Sequence, residues 1–208
     1  KIARKVNYVG AGTIEFLVSD TDYYFIEMNT RIQVEHPITE MVFNVDLVKN
    51  QILAHSGEKI MFSSDNLVAK GHSIECRVTA ENPDMNFMPS PGTVESLHFP
   101  GGLGVRIDSH IYTGYKIPPN YDSMVAKIIT FSNDRKSCIN KMKVALNELV
   151  IEGVSTIVPF HLKILEDSSF INGDYNTSFL NNFNYISKKE DEVNVTWRVE
   201  IYKRTRMG

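Results

Sequence analysis

The sequence is poor in cysteine, in net charge and in long apolar runs, and each shortage closes a class of protein. Its 208 residues include two cysteines, Cys76 and Cys138. They form neither a CxxC pair nor a metal-ligand spacing, which argues against a disulfide framework. Two reduced thiols in a cytoplasmic protein are expected instead. The formal net charge is −3, too small for a field that would draw nucleic acid or anionic lipid, so neither a nucleic acid nor a membrane is an expected partner. No window reaches the run of about 18 apolar residues that spans a bilayer. No secretory signal is expected. Residues 1–8 read as the last turns of a helix that begins elsewhere, so a fragment of something larger is expected. A Gly-rich phosphate loop followed by lysine is also missing.

What is present has the balance of an ordinary globular protein, 42% hydrophobic and 23% charged, enough for one large domain or two small ones. Residues 23–36, YYFIEMNTRIQVEH, stand out. Read as one extended strand, they put Glu27, Asn29, Arg31, Gln33 and Glu35 on one face and Ile26, Met28, Thr30, Ile32 and Val34 on the other. Two acids, two amides and a guanidinium suit a metal-bound anionic substrate, although a half-exposed edge strand would read the same way. The strand pairs with residues 13–18 across the turn residues 19–22. A four-residue loop would set Glu15 opposite Ile26. A loop of three or five would set Glu15 opposite Glu27 and Leu17 opposite Phe25. Facing carboxylates repel, so that second register calls for a bridging cation, naturally Mg²⁺; in the first, each Glu is merely solvated.

Further along, Asp46 caps a helix over 47–56 with Leu47, Val48, Ile52 and Leu53 as its apolar stripe, ended by Gly57. Residues 72–79 alternate as a strand with Arg77 on the polar face, where a solvated arginine or a local pair with Glu75 is the plain reading. Strands follow at 93–99, 105–111 and 124–131 between turns. Asp134 caps the clearest helix, 135–150. Another helix starts near Thr156 with Pro159 in its first turn, and its His161 reads as a packing or surface residue. The run KKEDE at 188–192 and an alternating segment at 193–201 form a distinct tail.

Five blocks, GAGTIEF (10–16), FIEMNTRIQVEHPITE (25–40), GHSIECRVTAENP (71–83), PSPG (89–92) and YDSMVAK (121–127), are together similar to biotin carboxylase, in its order. The resemblance runs from about residue 1 to 180. It implies an α+β chain: the C-terminal part of an ATP-grasp domain (1–60), a linker (61–70), a biotin carboxylase C-terminal domain of mainly antiparallel sheet or barrel-like form with packed helices (71–186), and a tail without correspondence (187–208). It also implies a ligase that uses ATP, Mg²⁺ (or Mn²⁺) and bicarbonate to carboxylate biotin on a carrier protein. This is the first half-reaction of acetyl-CoA carboxylase or a related carboxylase. Its expected partners are the biotin carboxyl carrier protein or domain, carboxyltransferase subunits and a second copy in a homodimer.

By the same resemblance Glu15 and Glu27 hold the metal on the ATP phosphates, with Asn29 auxiliary. Leu17 and Ile26 touch the adenine. Arg31, Gln33 and the Val34 backbone cradle bicarbonate, Glu35 is the general base, Arg77 meets the biotin ureido oxygen, and Arg106 belongs to a dimer contact. Thr177 stands where the family has an apolar residue near the purine. The family's nucleotide lid has no counterpart in these residues, so the chain alone is expected neither to hydrolyse ATP nor to carboxylate biotin. A non-catalytic dimerisation or docking module, or another ATP-grasp ligase such as a carbamoyl-phosphate synthetase, are the competing expectations.

Overall fold

A computed structural model describes residues 2–63 and 66–185; the tail lies outside the described residues. A short helix α1 (Ile2–Lys5) leads to a hairpin of β1 (Thr13–Val18) and β2 (Tyr23–Asn29). Two helices follow, α2 (His36–Phe43) and α3 (Leu47–His55), then β3 (His72–Thr79), β4 (Glu81–Asn82) and a 3-10 turn at Pro83–Met85. Short strands β5 (Met88–Pro89), β6 (Gly92–Thr93) and β7 (Ser96–His98) precede β8 (Val105–Ser109), β9 (Lys116–Ile117) and the long β10 (Met124–Ser132). The chain continues through α4 (Arg135–Glu148), β11 (Val150–Glu152), α5 (Val158–Ile164), α6 (Ser168–Asn172) and α7 (Phe179–Asn182).

The architecture is the expected α+β mixture, and every strand pair is antiparallel. The strands fall into a three-stranded sheet, β3-β10-β8, and several two-stranded pieces. They form a sheet and not a closed barrel among the described residues. Asp134 caps α4 by accepting the Ser137 N–H at 2.8 Å. That lays Cys138, Ile139, Met142, Ala145 and Leu146 over one face of the sheet, against Ile74, Cys76 and Val78 of β3 and Ile128 of β10. This is the core. Burial pushes the Cys76 thiol up to about 12, so it is an inert packing group.

Several expectations change. The strand begun at Tyr23 ends at Asn29, so Arg31, Gln33 and Glu35 lie in a loop and not on its face. The physical reason follows in the sequence: Pro37 is buried in the first turn of α2, a position where its missing N–H costs nothing. Helix α2 itself was not anticipated. The hairpin loop is four residues long, with Val18 opposite Tyr23, yet Glu15 still faces Glu27. A β-bulge between them leaves Ile26 without a cross-strand partner, and Leu17 faces Tyr24 instead of Phe25. The apolar face expected to be core is covered only in part: Ile26 is 56% exposed, while Met28, Ile32 and Val34 are half-buried. Half of the α3 stripe, Val48 and Ile52, is exposed as well. The strand expected at 93–99 splits into β6 and β7, the one expected to reach residue 111 ends at Ser109, and the helix expected near Thr156 begins at Val158.

Candidate active site

The second face of the three-stranded sheet is polar, and the site is built on it. Cross-strand register sets Lys127 of β10 opposite Arg77 of β3 and opposite Asp108 of β8. Two residues along β10, Ile129 lies between Glu75 and Arg106. Helix α2 packs on β3 and β10 over this face. It is fixed there by Glu40, whose Oε2 accepts from Arg106 Nη1 at 2.6 Å while its Oε1 accepts the Leu47 N–H at 2.7 Å. Arg106 also grips Asp108 through two N–H groups, at 2.8 and 2.9 Å. These bonds to Asp108 and Glu40 hold its guanidinium above the ordinary arginine range.

Glu35 sits at the start of α2 with φ −83° and ψ 9°, a backbone region that active-site residues often occupy. Its carboxylate does not cap the helix. It reaches across to the sheet instead, where Arg77 Nη2 lies 2.7 Å away, each side chain half exposed. Arg77 Nε is 3.7 Å from Glu75, whose side chain is only 4% exposed. Burial raises the Glu75 carboxyl above its ordinary value despite Lys127 and Arg77 nearby. His161 of α5 donates from Nε2 to the Arg77 carbonyl at 2.8 Å and is held below the usual imidazole value by burial. Arg77 is thus held at both its backbone and its head group.

The hairpin carries the second cluster. Asn29 Nδ2 donates to Glu15 at 2.7 Å and to Glu27 at 3.2 Å, and Gln33 Nε2 reaches Glu15 at 3.4 Å. The facing carboxylates of Glu15 and Glu27 are hard oxygen ligands that suit Mg²⁺ or Mn²⁺ completed by phosphate oxygens, and the Asn29 NH₂ that donates to both stands where such a cation would sit. Among the described residues no group of three or more His, Cys, Asp or Glu side chains makes a metal site, so any ion here needs oxygens from a ligand. The loop between the clusters is tied down by the His36 ring, which donates from Nδ1 to the Gln33 carbonyl at 2.8 Å. Val34 offers its carbonyl to Lys127 Nζ at 2.9 Å. Arg31 is exposed and donates to the Ile32 carbonyl at 3.2 Å; it makes no ion pair among the described residues. Leu17 and Ile26 stand open on the hairpin.

Two family models match the chain. Residues 75–182 match the biotin carboxylase C-terminal domain, just over half of the chain. The chain belongs to the biotin carboxylase family. Residues 1–62 match the carbamoyl-phosphate synthase L chain ATP-binding domain. Biotin carboxylase 1 of Bacillus subtilis is 54% identical over 185 residues, covering 88% of this chain and 41% of that protein. The biotin carboxylase of Haemophilus influenzae is 53% identical over 176 residues, covering 85% and 39%. Among solved structures, the biotin carboxylase domain dimer of Hydrogenobacter thermophilus 2-oxoglutarate carboxylase, in complex with MgADP, ADP and bicarbonate, superposes with a TM-score of 0.84 at 42% identity over 89% of this chain and 42% of that one. The chain therefore spans about two fifths of the length of these biotin carboxylase relatives.

Sequence reasoning named the site residues of the hairpin and loop but passed over Lys127, Glu75, His36, His161 and Glu40 as parts of the site. One signal was available. Lys127 is the single charge in the run MVAKIITF, and a lone charge in a buried strand is retained only with a partner.

Proposed function

We propose that this chain supplies the metal-facing and bicarbonate-facing part of a biotin carboxylase active site, in an enzyme that carboxylates biotin on a carrier protein with ATP and bicarbonate through carboxyphosphate. Residues 1–60 then act as the end of the ATP-grasp domain, 61–70 as a link and 71–186 as the C-terminal domain. The observation that carries this reading is the 2.7 Å contact between Glu35 and Arg77, which brings the candidate base and the candidate biotin partner into one place from residues 42 apart in sequence.

Glu35, half exposed and free of any capping duty, takes the proton of bicarbonate so that its oxygen can attack the γ-phosphoryl group. Arg31, Gln33 and the Val34 backbone orient the bicarbonate; a guanidinium holds a planar oxyanion through two bonds where a lysine would offer a point charge. Glu15, Glu27 and Asn29 would hold the Mg²⁺ or Mn²⁺, which when bound neutralises charge on the phosphates. Leu17 and Ile26 flank the adenine. Carboxyphosphate breaks down to carbon dioxide and phosphate, the released phosphate takes the ureido N–H proton, and the biotin nitrogen captures the carbon dioxide. Arg77 has five N–H donors, enough to keep Glu35 in place and still meet the ureido oxygen as it gains negative charge. Positioning and electrostatics supply most of the acceleration.

The partners that follow are a biotin carboxyl carrier protein or domain, carboxyltransferase subunits, and a second copy of the enzyme contacted near Arg106. The biotin-dependent carboxylase served is acetyl-CoA carboxylase or a relative. A carbamoyl-phosphate synthetase would account for residues 1–62 but leave the match over 75–182 without a role. Glu35→Gln in the intact enzyme tests the reading: a loss of roughly 10²–10⁴-fold in biotin carboxylation is expected for a general base. Undiminished carboxylation would refute it, and a changed sedimentation profile instead would favour a docking or dimerisation role.

A further inference from the structure

We propose that Lys127 is a positioning residue for the Arg31–Glu35 loop, holding the bicarbonate cradle and the base in register with Arg77. The inference rests on the functional reading above and adds to it a residue outside both clusters.

Lys127 is 9% exposed and is one of the few buried charged or polar residues of the described chain. A buried ammonium is costly unless it is paired and hydrogen-bonded. Its head group has two partners. One is the Asp108 carboxylate at 3.4 Å, on the neighbouring strand of the same sheet. The other is the Val34 carbonyl at 2.9 Å, on a loop 93 residues earlier in the chain. The aspartate alone would satisfy the charge within the sheet, so the bond to Val34 serves the loop.

Its position in the sheet says what that service is. Lys127 is the register partner of Arg77. Arg77 Nη2 grips the side chain of Glu35, and Lys127 Nζ grips the peptide carbonyl immediately before Glu35. Two paired residues on neighbouring strands therefore hold two consecutive loop residues, Glu35 by its head group and Val34 by its main-chain carbonyl. The same carbonyl belongs to Val34, whose peptide also lines the bicarbonate cradle. On the other side the loop has the His36 ring on the Gln33 carbonyl, a bond local to the loop that cannot place it against the sheet. Only Lys127 and Arg77 tie residues 31–35 to the three-stranded sheet through hydrogen bonds among the described residues. Without Lys127 the loop pivots on the Glu35–Arg77 contact, and a displacement of about 1 Å is enough to cost on the order of 10²-fold in rate.

The test uses the intact carboxylase with Lys127→Met, which keeps the length of the side chain and removes its donors. The expected result is a fall of about 10²-fold in kcat/KM for bicarbonate, with a raised KM for bicarbonate and an unchanged KM for ATP. Amide exchange at residues 31–36 should accelerate while exchange in β3 and α4 stays as it was. Lys127→Arg, which keeps charge and donors, should recover at least part of the loss. If Lys127→Met does not fold, Lys127→Gln, whose shorter amide falls short of Val34, carries the same expectation. A folded Met or Gln variant with wild-type bicarbonate KM, kcat and loop exchange overturns the proposal. So does one in which ATP and bicarbonate parameters fall together with global stability. Glu35→Gln measured alongside separates the outcomes: if it is inactive while the Lys127 variants are normal, the positioning role fails and the functional reading stands.

Discussion

Glu75 and His161, the two side chains that brace Arg77, titrate in opposite senses. Burial raises the Glu75 carboxyl above its ordinary 4.5, and its Oε2 has no hydrogen-bond partner among the described residues. A group whose folded value is raised stabilises the fold fully below its ordinary value, and that contribution is lost as pH rises through the folded value. Glu75→Gln is thus expected to flatten the decline in stability above pH 4.5 and to leave the neutral-pH midpoint level or higher, as urea titrations across pH would show. For His161 burial lowers the value below 6.5. Its contribution is present above 6.5 and lost as pH falls through the folded value, so His161→Gln should remove an acid-side loss between pH 6.5 and the folded value. At the candidate ureido contact, Arg77→Gln in the intact enzyme should cost roughly 10²–10³-fold in biotin carboxylation, as for the loss of one oxyanion donor, with bicarbonate KM much less affected. Period-two alternation in residues 72–79 showed which side Arg77 and Glu75 occupy. It could not show that a helix from about 30 residues earlier covers that side, and this cover is why Glu75 is buried instead of solvated.

Elements announced by caps were legible in the sequence; those set by packing were not. Asp46 and Asp134 bond the N–H three residues on, as their positions before apolar-periodic runs foretold. Helix α2 gave no such notice, because Glu35 precedes it without a capping bond and its eight residues continue what reads as a strand. The hairpin shows how a sound rule can miss its target: loop length fixes register only in an unbroken ladder, and the bulge at Ile26 adds the one residue that the rule needed. Gly71 marks another hidden requirement. Its φ is +65° at the entry to β3, and a Cβ there would collide with the Ser132 carbonyl. Gly71→Ala is expected to destabilise by about 1–3 kcal/mol, measured from the urea midpoint.

At the scale of the molecule, helix α2 meets the polar face of the three-stranded sheet, and Arg106 is the joint between them. Glu40 has a side chain only 9% exposed while Arg106 is 33% exposed. Arg106→Ala would leave Glu40 buried without its cation, at a cost of about 1–3 kcal/mol, and would loosen α2 on the sheet. Limited proteolysis should then cut residues 57–70 faster while sparing the α4 core. The β1–β2 hairpin has little apolar interior of its own: Phe16, Leu17, Val18 and residues 23–26 are all exposed. Period-two patterning marked Ile26 and the alternate residues after it as core-like, but patterning reports what a face prefers and not whether anything covers it. On the proposed reading, the nucleotide and its lid belong over that face. The chain by itself is then expected to show no bicarbonate-dependent ATP hydrolysis, and turnover in a phosphate-release assay would contradict this.

The bulge at Ile26 has a practical side. Since one unpaired residue inside β2 makes Glu15 and Glu27 face each other, the tip of the hairpin is free of that duty. Residues 19–22 are therefore a port for a spectroscopic reporter. A lanthanide-binding peptide or a spin-labelled cysteine spliced there would sit about 13 Å along the strand from Glu15, near enough to sense an ion arriving at the acid pair.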